Sequence, residues 1–141
     1  MQDQNYYRIS IKGVVIKDDK YLLPREDNGK WELMGGGIDH GEDPHDCLRR
    51  EIQEETGLKV TWISEAPLYF LTCPMLNKPG YIANVVYQME LANYDFTPSD
   101  ECQELGWFTP EDMKKLPLFP KVEKFAELLG RLDPSTANLV Y

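Results

Sequence analysis

The chain has 141 residues, 42% of them hydrophobic and 28% charged, a balance that suits one globular domain with its own core. Its net charge of −9 argues against a nucleic-acid groove, which needs a basic face, and no apolar run approaches the roughly 20 residues that span a bilayer. The polar stretch Met1 to Arg8 offers no apolar leader, so a soluble cytoplasmic protein with neither nucleic-acid nor membrane partners is expected.

Residues Arg8 to Ile16 alternate and are rich in β-branched types, as a strand should be. Asp18-Asp19 is a turn signal, and Tyr21-Leu22-Leu23 resumes the apolar run, so the two segments read as a hairpin. Asp27-Asn28-Gly29 marks a second turn. Trp31 to Leu33 is a short strand leading into Gly35-Gly36-Gly37, where missing Cβ atoms leave backbone groups open to a ligand.

The clearest helix follows. Asp43 is a good N-cap, Pro44 suits the first helical position, Asp46 favours the helix dipole, and Gly57 is a stop signal. Lys59 to Phe70 and Tyr81 to Leu91 read as two strands joined by a loop bearing proline and glycine. Glu104 to Phe108 is a short strand, and Thr109-Pro110 caps a short helix. A last helix spans about Pro120 to Leu129, with Val122, Phe125, Ala126 and Leu129 on one face. The tail from 133 to 141 is expected to be loosely held. Hairpins mixed with strand–helix alternation imply an α/β (α+β) fold, a mixed sheet sandwiched between helices.

Cys47, Cys73 and Cys102 have neither CxxC nor zinc spacing and read as reduced, mostly buried small hydrophobes. His40 and His45 flank the capped helix and read as structural. On a helical wheel, Glu51, Glu54 and Glu55 fall within a ~100° arc, with Leu48 and Ile52 beside it. Like charges at these spacings disfavour a helix by only about 0.2–0.5 kcal/mol per pair, so alone they could be a solvated acidic face.

Their context is what speaks. Gly36, Glu42, Arg50, Glu51, Ile52, Glu54, Glu55, Gly57 and Leu58 satisfy G-x5-E-x7-R-E-U-x-E-E-x-G-U, with U bulky and apolar. At background residue usage a chance match at a given start is on the order of 10⁻⁹. This pattern is the Nudix box, here spanning 36–58, and the chain resembles Nudix hydrolases of the MutT-like kind over nearly its whole length. One departure is Met34, where family members usually have proline; it removes no ligand.

The resemblance implies a Nudix fold over a single domain, 1–141, and a pyrophosphohydrolase dependent on Mg2+ or Mn2+. Hard oxygen ligands on one helix face suit such a cation, and a cation resolves how an acidic protein receives a phosphate anion. By resemblance Glu51 and Glu55 are metal ligands, Glu54 is a ligand or the water-activating base, and Gly35 adds its backbone carbonyl. Arg50 looks like the residue that holds box carboxylates in place, with Glu42, through its planar fork. Glu101 is the best match to a further catalytic carboxylate outside the box, with Glu104 and Asp100 as rivals. Arg25, Gly36 and Gly37 are candidates for substrate contact.

The expected partner is a nucleotide-type small molecule. The leading expectation is a nucleoside diphosphate linked to another group, such as a nucleotide sugar or ADP-ribose; Pro74 lies near where ADP-ribose-cleaving members often carry a proline. The alternative is clearance of oxidised or non-standard nucleoside triphosphates. A non-catalytic binding module would be expected to lose box carboxylates, and none is missing. Members of the family often dimerise, so a homodimer is a further expectation carried by the resemblance.

Overall fold

In a computed structural model, residues 5–132 are described; the tail expectation for 133–141 lies outside them. The elements in chain order are β1 (Tyr7–Val14), β2 (Ile16–Lys17), β3 (Lys20–Arg25), β4 (Met34–Gly37), α1 (Pro44–Thr56), β5 (Val60–Ile63), β6 (Tyr69–Pro74), β7 (Tyr81–Leu91), β8 (Glu104–Phe108), α2 (Pro110–Met113) and α3 (Pro120–Arg131). A mixed five-stranded sheet runs β4-β1-β7-β5, with β6 also on β7, and a smaller sheet runs β2-β3-β8.

The expected first hairpin survives only at its tip. Ile16 pairs with Tyr21 and Lys17 with Lys20, closed by Asp18 and Asp19, both at positive φ (52° and 62°). Positive φ at both central residues matches the right-handed twist of the flanking strands. Most of the preceding strand leaves that hairpin, and β1 runs parallel to β7 from Tyr7↔Tyr81 to Val14↔Gln88. Two other expectations need correction. The strand placed at Trp31–Leu33 is the glycine run itself, antiparallel to β1, with Trp31 making only isolated bridges. The single strand placed over Lys59–Phe70 is two, β5 and β6, which share the same edge of β7.

Strand alternation sends Ile11, Tyr87 and Met89 to one face and Val14, Val86 and Leu71 to the other. On the first face α1 buries Cys47, Leu48 and Ile52; on the second α3 buries Val122, Phe125, Ala126 and Leu129. The result is a sheet with a helix on each face. Met34 is fully buried in the α1 core, and all three cysteines are free and buried. Among the described residues, no helix is long and apolar enough to cross a membrane.

Candidate active site

α1 begins and ends where its caps place it. Asp43 accepts the His45 and Asp46 amides at 3.0 and 3.3 Å, Pro44 opens the first turn, and Gly57 closes the helix in the left-handed region. The helix therefore presents its glutamates to β4 in a fixed register. Gly36 lies directly over Glu51: a Cβ there would sit 2.6 Å from the Glu51 carboxyl. Glu55 Oε1 accepts the Gly35 amide at 3.1 Å. The glycine run thus acts as a flat lid on two of the three carboxylates.

Exposure grades along the arc. Glu55 is 7% exposed, the Glu51 side chain 16% and the Glu54 side chain 57%. A solvated acidic face does not bury a glutamate in this way, since a buried carboxylate is costly without a partner. Burial pushes the Glu55 carboxyl up to about 8, opposed by the Lys12 ammonium and the Gly35 amide and reinforced by nearby Glu101. Burial also raises Glu51, against the pull of Arg50.

Arg50 organises the outer side. Its Nε and Nη2 donate to the two oxygens of Glu42 at 2.9 and 2.8 Å, and its Nη1 donates to Glu51 and Glu54 at 3.0 and 3.3 Å. Its Nη2 also reaches the Gly37 carbonyl at 3.4 Å. Arg50 holds the Glu42 carboxyl at about 2, far below its usual range.

Among the described residues, no three acidic, histidine or cysteine side chains converge closely enough to hold a metal as they stand. Arg50 neutralises Glu51 and Glu54 from one side, while Glu55 is turned to the Gly35 amide. The Gly35 carbonyl accepts Lys12 Nζ at 2.8 Å, which engages one of its lone pairs. The donors themselves suit a hard divalent cation: carboxylate oxygens from Glu51, Glu54 and Glu55 and a backbone carbonyl around a cradle that any Cβ on Gly36 would fill.

The flanking candidates divide. Glu101 sits on the loop beside Glu55, close enough to raise its pKa. Glu104 is tied instead to Arg25 at 2.9 Å, so these two sequence candidates form a rim pair. His45 Nε2 lies 3.1 Å from the Ser64 carbonyl and its ring packs edge-on to Tyr87, a structural placement. Sequence reasoning missed Lys12, which is 4% exposed and bonds the Leu33 and Gly35 carbonyls. The signal was present: a lone lysine inside the β-branched run from Ile9 to Val15. It also missed Glu26, Glu32 and Lys121, grouped on the α3 side of β4; burial and Glu32 push the Glu26 carboxyl up to about 7.

The NUDIX domain model matches residues 7–129. The chain belongs to the Nudix family. It is 30% identical over 124 residues to the nucleoside triphosphatase NudI of Escherichia fergusonii, covering 83% of this chain and 85% of that protein. It is 32% identical over 111 residues to a MutT-like protein of Streptomyces ambofaciens, covering 77% of this chain and 68% of that protein. A MutT protein from Methanosarcina mazei Go1 shares the fold, with a TM-score of 0.75, 22% identity, and coverage of 92% of this chain and 97% of that one. The protein is thus a Nudix pyrophosphohydrolase. Nudix hydrolases generally use divalent cations.

Proposed function

We propose that the protein, acting as a single domain over residues 1–141, uses Mg2+ or Mn2+ to cleave a pyrophosphate bond of a nucleoside triphosphate. The observation that carries this reading is the meeting of Glu51 and Glu55 with the glycines of β4, organised by Arg50. The triphosphate is favoured over the diphosphate-linked substrate by the 30%-identical relative named a nucleoside triphosphatase. The diphosphate-linked reading, a nucleotide sugar or ADP-ribose, ranks second and is supported by Pro74 standing in the wall of the adjoining cavity.

In this reading Glu51, Glu54, Glu55 and the Gly35 carbonyl would hold the cation. When bound, it would supply charge neutralisation at the phosphate oxygens, opening the phosphorus to attack. Arg50 and Glu42 keep Glu51 and Glu54 at their stations. Glu54, the most exposed of the three, takes the proton of the attacking water, and Glu101 supports the site from the opposite loop. A water oxygen–phosphorus bond forms, the bridging phosphorus–oxygen bond breaks, and its electron pair leaves with the departing phosphate group. The Gly36 and Gly37 backbone lies along the phosphates, and Arg25 offers the guanidinium N–H groups that Glu104 leaves free.

The test is a panel of NTPs, dNTPs, nucleotide sugars and dinucleotides incubated with Mg2+ or Mn2+, with products identified by phosphorus NMR. Nucleoside monophosphate plus pyrophosphate from a triphosphate is the expected result, stopped by EDTA. Cleavage of nothing in the panel would sink the reading.

A further inference from the structure

On the face of the sheet opposite α1, a cavity of about 420 Å³ opens between the start of β1, the loop after β6 and the N-terminal end of α3. That size falls within the range of small-molecule sites. The cavity shares a wall with the carboxylate site. Arg8 lines it and lies against Gly37, and Glu26 lines it while sensing the charge of Glu101.

Strand alternation places Arg8, Ser10 and Lys12 of β1, and Ile82 and Asn84 of β7, on this face. Arg8 and Ile82 line the cavity, and Ser10 and Asn84, paired side by side, follow them along the two strands. Asn84 is fully buried; its amide nitrogen donates to the Leu71 carbonyl at 3.3 Å, and its Oδ1 has no partner among the described residues.

The wall carries a matched donor and acceptor. Lys121 Nζ stands 3.7 Å from Glu32 Oε2, with the two side chains 14% and 10% exposed. That separation is too long for a hydrogen bond, so both groups keep capacity for a ligand. Phe119 and Met75 supply apolar surface for a flat ring. An ammonium beside a carboxylate complements an edge that presents an acceptor next to two donors. Guanine has that edge: O6, then N1–H, then the 2-amino group. Adenine, cytosine and uracil each present a different order.

We propose that this cavity seats the base of the substrate, and that Glu32 and Lys121 are the specificity-determining pair, selecting a guanine-type edge. The inference rests on the triphosphate reading above and deepens it.

The experiment compares steady-state kinetics with GTP, ITP, ATP, CTP and UTP for the wild type, Glu32→Gln and Lys121→Met. KM is expected to be lowest for GTP and to rise for ITP, which lacks the 2-amino group. Each variant should raise KM for GTP by about 10-fold or more, the scale of one bidentate base contact, with little change in kcat or in KM for ATP. Equal KM across the bases, or a variant effect equal for all of them, would overturn the proposal. Should either variant fail to fold, the other and the wild-type base ranking still decide it. Should no triphosphate be cleaved, the functional reading fails by itself. Titration of the wild type with GMP and AMP then reads the cavity directly: tighter GMP supports the assignment and equal affinity overturns it.

Discussion

Arg50 grips Glu42 with two sides of its guanidinium, Nε to Oε2 at 2.9 Å and Nη2 to Oε1 at 2.8 Å. The same side chain still reaches Glu51 and Glu54 through Nη1, because a planar fork offers donors in two directions at once. Lysine cannot do this. Arg50→Lys is expected to lower kcat by about 10–100-fold, the usual scale for residues that orient metal ligands, while melting within a few degrees of wild type. Higher metal demand should accompany it, read as a raised Mg2+ concentration for half-maximal rate.

The same pair has an acid signature. Arg50 holds the folded Glu42 carboxyl at about 2 against 4.5 when free. A depressed carboxylate contributes stability that is fully present above about 4.5 and is lost as pH falls through about 2. Glu42→Gln should therefore be less stable than wild type near neutrality, with the gap closing between those two values. Circular dichroism of acid unfolding, comparing both proteins across that window, measures it; a constant gap would refute the assignment.

Glu54→Gln and Glu55→Gln are each expected to lower kcat by at least about 100-fold. Their stabilities should differ from their activities. The Glu55→Gln variant keeps the side-chain volume, can still accept the Gly35 amide and replaces a carboxyl that burial already pushes toward its neutral form, so in EDTA it should melt no lower than wild type. Thermal melts with and without Mg2+ check this, since only the wild type should gain substantially from the metal. Near-wild-type turnover in both variants would show that the chemistry lies elsewhere.

The glycines of β4 should separate fold from chemistry. Gly35 has φ 119°, and a Cβ there would run into the Ile11 carbonyl, so Gly35→Ala should destabilise the protein by roughly 1–3 kcal/mol. At Gly36 the atoms nearest the intruding Cβ belong to the Glu51 carboxyl, so Gly36→Ala should melt nearer to wild type and lose activity by displacing that group. Melting temperature and kcat measured together on the two variants distinguish these outcomes.

How much the sequence disclosed follows from how local each signal is. α1 was legible to the residue because Asp43, Pro44 and Gly57 act within their own helix, and the spacing of its glutamates is carried by one continuous segment. The parallel pairing of β1 with β7 was not, since Tyr7 meets Tyr81 across about half of the chain and no short motif marks such a contact. The strand at Met34–Gly37 was hidden for a different reason. Glycine has a poor β-propensity, and here packing against Ile11, Glu51 and Arg8 overrides it. At the site, the placement of Glu101 beside Glu55 and the pairing of Glu32 with Lys121 depend on elements brought together only by the tertiary fold.

The loop bearing Glu101 is fastened by its own backbone and by one short hydroxyl. Asp27 N donates to the Asp100 carbonyl at 2.9 Å, Gln103 N to the Arg25 carbonyl at 2.7 Å, and Ser99 Oγ to the Glu55 carbonyl at 2.7 Å. Two of these ties ignore side-chain identity and all three fix path length. Over evolutionary time the loop's outward side chains can therefore drift freely, whereas inserting or deleting one residue between Ser99 and Gln103 would shear Glu101 away from α1. Length, more than composition, is what selection has to guard there.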